Sequence, residues 1–380
     1  MKKIKICHFI LGFHNGGVEK VLENYFANMD RSKFELHIVT HMQPDLKRKH
    51  IFEEMGFHTY QLSYVHGHKI TVQNFQEYNN FFKHHHFDIV HNHFPENLLP
   101  LMFAKKYGVP VRILHSHNDY YNVFKKKNTL VKKLYSLGLS FNVHNATDYL
   151  ACGKTAGESV FGEKNTSKTI VITNAINTQK FKYNPQKREE LRKQLRINDN
   201  FVIGHVGRYE EVRQKNQGFV LKVFKEVLKT NPDARLLMIG EGKLRKDIMK
   251  TAEDMGVLDK TIFTGAISNV YDYLQVFDVF LFPSNYEGLP VVVVEAQCSG
   301  LPIVASSAIP EETNLTEAFF SLSLSNSIEN WSALVLAQQT HQRQDQSIII
   351  QEKGYDIYSA ATKLEHLYET LYQKAINSKQ

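Results

Sequence analysis

Two doubly wound α/β domains in tandem are the fold that this 380-residue chain predicts, and three observations predict it. Short β-branched and apolar runs alternate with longer amphipathic stretches throughout, the pattern of parallel strands joined by helical crossovers. The length exceeds the size at which one hydrophobic core usually stops growing. The alternation breaks once, at 174–200, where a turn and the charged stretch 186–195 carry little core-like sequence. This gives a first domain over 1–173, a link over 174–200, a second domain over 201–354 and a terminal helix over 355–380 that is expected to cross back to the first domain. Two such Rossmann-like domains are expected to face each other across a cleft, with ligands beyond the carboxyl ends of the strands.

In the first domain, strands are expected at 3–10, 34–40, 57–62, 89–93, 111–116, 148–152 and 169–172, with helices between them. The second restarts the pattern at 201–206, 234–239, 261–264, 279–282 and 303–306. The terminal stretch 355–375 places Ile357, Ala360, Leu364, Leu367, Leu371 and Tyr372 at a helical period.

Composition excludes several classes. With 42% hydrophobic and 22% charged residues, the chain is neither disordered nor collagen-like. No apolar run reaches the roughly 18 residues needed to span a bilayer, and residues 1–10 read as a buried strand rather than a signal peptide. Three scattered cysteines, Cys7, Cys152 and Cys298, fit a reducing compartment, so a cytoplasmic location is expected. The net charge of +7 is uneven: residues 1–180 hold 23 Lys and Arg against 14 Asp and Glu, the remainder 23 against 25. A basic first half attracts anionic lipid or phosphorylated substrates. Its densest part, Lys125, Lys126 and Lys127 with Lys132 and Lys133, reads equally as a solvated helix face or as a contact for an anionic membrane surface.

The most informative stretch is 283–306, Pro-Ser-Asn-Tyr-Glu-Gly-Leu-Pro-Val-Val-Val-Val-Glu-Ala-Gln-Cys-Ser-Gly-Leu-Pro-Ile-Val-Ala-Ser. A strand hands over to a turn, and Pro290 suits the first position of a helix. Gly288, Leu289 and Pro290 therefore surround a helix start whose free N–H groups and dipole favour an anion. Glu287 precedes that start, and Glu295 lies more than one turn inside it beside valines expected to be buried. A carboxylate so placed needs a partner, and paired sugar hydroxyls satisfy it.

This stretch resembles the signature of glycosyltransferase family 4: Glu, seven residues, Glu, then Ala and a Gly-x-Pro turn into a strand. Glu287, Gly288, Pro290, Glu295, Ala296, Gly300 and Pro302 coincide with it in order. The resemblance implies a GT-B fold and a retaining transfer. It places Glu287 against the donor hexose and its developing positive charge, and Glu295 on the ribose hydroxyls. Arg208 and Lys215, flanking the exit of the second domain's first strand, resemble the family's clamp on the donor diphosphate, Arg213 being the alternative to Lys215 on spacing. Such cations stabilise the charge that grows on the leaving nucleotide. The Gly12–Gly17 loop, with Gly16 and Gly17, resembles the family's N-terminal glycine loop near the donor phosphates. Gly240 and Glu241 match its acidic-glycine turn near the nucleotide, and His117 resembles its cleft histidine that contacts the donor sugar. Residues 174–177, Asn-Ala-Ile-Asn, resemble an interdomain Asn-Gly-Ile-Asp segment with two replacements.

The expected activity is a retaining transfer of a hexose or N-acetylhexosamine from a nucleotide-diphosphate sugar, UDP before GDP. The expected acceptor is a glycan, carried on a lipid, in capsule or exopolysaccharide assembly at the inner membrane face. No cofactor or metal is expected: no Asp-x-Asp occurs, nor a P-loop, nor a Gly-x-Gly-x-x-Gly after the first strand. Nucleic acid is not an expected partner. A UDP-sugar 2-epimerase on the same fold and a metal-dependent hydrolase using His115, His117 and Asp119 are the alternatives.

Overall fold

Strand β1 (Ile4–Phe9) buries every residue except Lys5. A central parallel strand is covered on both faces, so its sequence reads as one apolar run rather than as an alternation. The same logic holds for β2 (Phe34–Thr40), β4 (Ile89–Asn92) and β5 (Val111–Ser116) and for the second half of β6 (Asp148–Ala151), whereas the edge strands β3 (His58–Gln61) and β7 (Thr169–Val171) bury no residue fully. The structure is a computed structural model that describes residues 3–13, 17–42, 45–63, 70–121, 128–211 and 214–378. These seven strands form one parallel sheet in the order β3-β2-β1-β4-β5-β6-β7. The order reverses between β1 and β4, the point at which doubly wound sheets open a crevice beyond their carboxyl ends.

A second parallel sheet holds β8 (Val202–Val206), β9 (Arg235–Ile239), β10 (Thr261–Gly265), β11 (Val279–Phe282), β12 (Ile303–Ser306) and β13 (Phe319–Leu322), in the order β10-β9-β8-β11-β12-β13. Its reversal falls between β8 and β11. Sequence reasoning missed β13, a four-residue edge strand, Phe-Phe-Ser-Leu, that is only partly buried. Over this sheet the helix Gln217–Thr230 turns Val220, Leu221, Val223, Phe224 and Val227 inward at helical spacing. Phe219 meets the fully buried Trp331 edge to face at 5.2 Å.

Residues Met1–Ala175 and Ile357–Gln380 make one compact unit, and Ile176–Asp356 the other. Each is thus built on its own doubly wound sheet. In the first unit the helix Ile357–Asn377 buries Ile357, Ala360, Leu364, Tyr368 and Leu371. The sequence pattern put Leu367 and Tyr372 on that face; the structure buries their neighbour Tyr368 instead. Glu365 fixes the helix by accepting from Asp30 N–H at 2.7 Å. The charged stretch read as a link forms the helix Pro185–Gln194 within the second unit. There Arg188 and Arg192 donate to the carbonyls of Gln275, Val276 and Phe277 and pair with Asp278. They satisfy carbonyls that the end of the helix Val270–Val276 leaves without intrahelical partners, which is why so polar a segment packs.

Candidate active site

In the second unit the loops leaving β8, β9 and β11 carry most of the residues singled out from sequence, and β8 lies between the other two strands. Gly207 N–H donates to Ile239 O at 2.9 Å and Tyr209 N–H to Glu241 O at 3.0 Å, which ties the β8 loop to the β9 loop. Gly240 and Gly242 have φ of +147° and +150°, and a Cβ on them would sit 2.0 Å from Gly207 O and 2.5 Å from Tyr209 O. Only glycine lets the two backbones run this close.

The loop after β11 is fastened to the segment that opens the Gln217–Thr230 helix. Asn285 N–H donates to Gln214 O at 2.8 Å. Gln214 Nε2 donates to Tyr286 O at 3.0 Å and Glu287 Oε2 at 3.1 Å, and Asn216 Nδ2 donates to Pro283 O at 3.1 Å. Asn216 caps that helix in the left-handed region, φ +54°, which asparagine tolerates better than most residues. Between these fasteners Lys215 Nζ reaches Glu287 Oε1 at 2.6 Å and lies 4.7 Å from the centre of the Phe282 ring. Glu287 is 6% exposed, and its two oxygens are met by an ammonium and an amide, as a buried carboxylate requires. Beneath the pair, His205 is fully buried with Nδ1 2.9 Å from Leu281 O. Burial pushes its imidazole down to about 4, so it is neutral.

Gly288, Leu289 and Pro290 are buried at the start of the helix Val291–Cys298. Pro290 is its N-cap, with ψ 108°, and not its first residue as the sequence suggested. The fixed φ of proline suits both positions, and the extended ψ places it outside. Val293 and Val294 are buried, Val291 and Val292 only partly, and Glu295 is half-buried. Arg208 is exposed and pairs with Glu210 at 3.5 Å. Glu241 faces Arg245 Nε at 3.6 Å.

In the first unit five histidines cover one face of the sheet at the β1–β4 reversal. His8 is the register partner of His91, and residues two apart on a strand share a face, which adds His93 and, on β5 and just beyond it, His115 and His117. Their ring nitrogens form two chains. His117 Nε2 is 2.9 Å from His93 Nδ1, and His93 Nε2 is 3.0 Å from His8 Nδ1. His115 Nδ1 is 3.1 Å from His91 Nε2, whose Nδ1 is 2.8 Å from the Tyr368 hydroxyl. Burial pushes all five down, His8 and His117 to about 3. Neutral imidazoles each offer one donor and one acceptor, so the chains fix ring orientation up to the partly exposed His117. One nitrogen from each of His8, His91 and His93, or of His93, His115 and His117, comes within 4.8 Å of the others, as do a carboxylate oxygen of Glu35 and one nitrogen each of His37 and His58. These are the described residues able to gather round a metal. Asp119, read with His115 and His117 from sequence, stands outside both histidine groups and accepts from Tyr121 N–H at 3.0 Å.

Comparison with known proteins identifies the family. Residues 15–180 match the family Glycosyltransferase Family 4 and residues 187–332 the family Glycosyl transferases group 1. EpsF of Bacillus subtilis strain 168, named as a glycosyltransferase, is 31% identical over 98% of this chain and 98% of its own. The chain belongs to glycosyltransferase family 4. The UDP-Gal:alpha-D-GlcNAc-diphosphoundecaprenol alpha-1,3-galactosyltransferase of Escherichia coli is 28% identical over 58% of each chain. A crystal structure of Anabaena HepE in complex with UDP matches 97% of this chain and 100% of its own with a TM-score of 0.78 at 17% identity, which shows the shared GT-B fold.

For this family 4 transferase, Arg208, Lys215, Gly240, Glu241, Glu287, Gly288, Leu289, Pro290 and Glu295 fall in the second unit, and Gly17 and His117 in the first. Of the charged residues, Lys215 and Glu287 meet directly. Gly17 opens the helix Gly17–Asn28, and a Cβ on it would meet nothing within 4 Å, so packing alone does not demand glycine there. Gly16, Arg213, Lys125, Lys126 and Lys127 lie outside the described residues. Sequence reasoning missed Gln214, which holds Glu287, and His205 beneath the pair. It put His91, His93, His115 and His117 at the ends of two strands, where the structure has them, but did not join them to His8, which meets His91 only through the β1–β4 register.

Proposed function

We propose that this transferase moves a hexose or N-acetylhexosamine, with retention, from a UDP-sugar, or less favourably a GDP-sugar, to a glycan on a lipid diphosphate, in capsule or exopolysaccharide assembly. The observation that carries the reading is the Lys215–Glu287 pair, 2.6 Å apart at the carboxyl ends of β8 and β11. A cation fixed beside a helix start suits a diphosphate leaving group, because both stabilise negative charge without reorganising. Lys215 and Arg208 take the diphosphate together with Gly16 and Gly17 and with the helix start at Gly288, Leu289 and Pro290. Glu295 takes the ribose, Gly240 and Glu241 border the nucleotide, and Glu287 and His117 face the donor sugar. The acceptor hydroxyl approaches the face that the diphosphate leaves. No metal is assigned, since two cations already oppose the leaving charge. The UDP held by HepE and the donor and acceptor in the Escherichia coli enzyme's name support the choice of substrates. Among the described residues no helix is long and apolar enough to cross a membrane; the reading has the lipid-linked acceptor met at the inner membrane face.

Thermal shift with a panel of nucleotide sugars tests the donor, because a bound donor raises the melting temperature with the logarithm of its concentration. UDP release that depends on a lipid-diphosphate acceptor, and survives a chelator, is the expected result. Release without any acceptor would point to the 2-epimerase reaction and overturn the reading.

A further inference from the structure

The helix Thr129–Asn145 carries an apolar stripe that its packing does not use. It begins at Asn128, whose side chain accepts from Val131 N–H at 2.9 Å, and it is anchored by its buried face of Gly138, Leu139, Asn142 and Asn145. Asn142 Nδ2 alone donates to Pro95 O at 2.7 Å and Asn97 O at 3.0 Å. Yet Leu130, Leu134, Leu137 and Phe141 are 68%, 45%, 60% and 40% exposed. Their spacing, i, i+4, i+7 and i+11, draws one line along the helix, roughly 100° round from the buried face. The helix contains Lys132 and Lys133 and no Asp or Glu, on a half of the chain where 23 basic residues face 14 acidic ones.

We propose that this face seats on a lipid bilayer bearing anionic headgroups, with the helix lying in the plane of the interface. Lys133 flanks the apolar line, about 70° round the helix, while Lys132 lies on the opposite side. An ordered helix with an apolar line, a basic residue at its edge and no acidic residue is the form of an interfacial helix, and the long lysine stem lets the charge reach the headgroups while the leucines enter the acyl boundary. A second copy of the chain fits less well. The stripe amounts to a few hundred Å² at most, against about 800 Å² per partner in a standard interface, and a two-fold contact would bring the same lysines together. This deepens the reading of a lipid-linked acceptor and is tested apart from it.

The full chain is sedimented with vesicles of phosphatidylcholine alone and with about one third phosphatidylglycerol, at low and high salt. Binding to the anionic vesicles, weakened by salt, is expected. Each of Leu134→Glu and Leu137→Glu should lower the bound-to-free ratio about tenfold or more, and Lys133→Glu should weaken the preference for phosphatidylglycerol more than Lys132→Glu on the far side of the helix does. Melting temperature and its rise with UDP should stay at wild-type values in all variants, so that failure of the donor reading shows separately. The proposal is overturned by wild-type protein that stays in the supernatant, by leucine variants that bind vesicles as wild type does, or by a dimer in light scattering that these substitutions dissolve.

Discussion

Replacing Gly207 by alanine tests the diphosphate clamp without touching a charge. The added Cβ would lie 2.8 Å from Lys215 Cγ, 3.0 Å from Lys215 Cβ and 3.3 Å from His205 Nε2. Carbon atoms in contact settle near 3.5 Å or beyond, so something must move by about 0.7 Å. The backbone at 207 is pinned by its bond to Ile239 O, 2.9 Å, and His205 is buried and tied to Leu281 O. The Lys215 stem therefore moves, and Nζ leaves its 2.6 Å contact with Glu287. Loss of a charge-assisted hydrogen bond is worth about 1.5–3 kcal/mol, so the Kd for UDP should rise roughly ten- to a hundredfold by calorimetry. Gly218→Ala, where a Cβ meets nothing within 4 Å, is the control and should bind as wild type. If Lys215 transmits the effect, Gly207→Ala adds nothing to Lys215→Ala in the double variant. A folded Gly207→Ala protein with wild-type affinity for UDP would refute the assignment of Lys215.

Lys215→Ala should lower kcat about a hundredfold with the preferred donor, read by nucleotide release. Glu295→Ala should weaken nucleotide binding while leaving the melting temperature of the free protein within a few degrees, since the side chain is only half-buried. Stability should fall on mild acidification, because burial pushes His8 to about 3 and His205 to about 4 from the usual 6.5. Above 6.5 both states hold these imidazoles neutral and stability is complete; below it the unfolded chain takes up protons that the folded chain refuses. Each then withdraws about 1.4 kcal/mol per pH unit, about 2 kcal/mol by pH 5, and a melting temperature flat from pH 7 to 5 would contradict this.

The strands were legible because parallel cores need runs such as Val-Phe-Leu-Phe of β11, buried throughout, whatever their neighbours are. The placement of Glu287, Pro290 and Glu295 around a helix start was legible to within one residue for a local reason: strand exit, turn and helix start lie within a dozen residues. The histidine chains were not, since His8 and His91 meet only through the β1–β4 register, a tertiary fact. Tyr368 escaped because Leu367 and Tyr368 are both apolar enough for the same stripe, and the His91 bond that favours the tyrosine comes from another element. Gln214 gave no signal because its role depends on Asn216 adopting φ +54°, which composition does not dictate.

The pairing in the second unit also decides which substitution reports on ligand alone. Lys215 and Glu287 are 20% and 7% exposed at the side chain, so among the described residues removing the lysine leaves a nearly buried carboxylate opposed by the Gln214 amide alone, and folding suffers together with binding. Arg208 is different. Its side chain is 55% exposed and its contact with Glu210 is a loose 3.5 Å, the kind of surface pair that contributes little to stability. Its place after β8 is fixed by backbone instead, through Gln217 Nε2 donating to Arg208 O at 2.9 Å. Arg208→Ala should therefore melt as wild type does, yet lose affinity for UDP and more so at low ionic strength, where an unscreened guanidinium attracts a diphosphate most strongly. Equal UDP affinity in Arg208→Ala and wild type across that salt range would remove Arg208 from the clamp and leave Lys215 to hold the diphosphate without it.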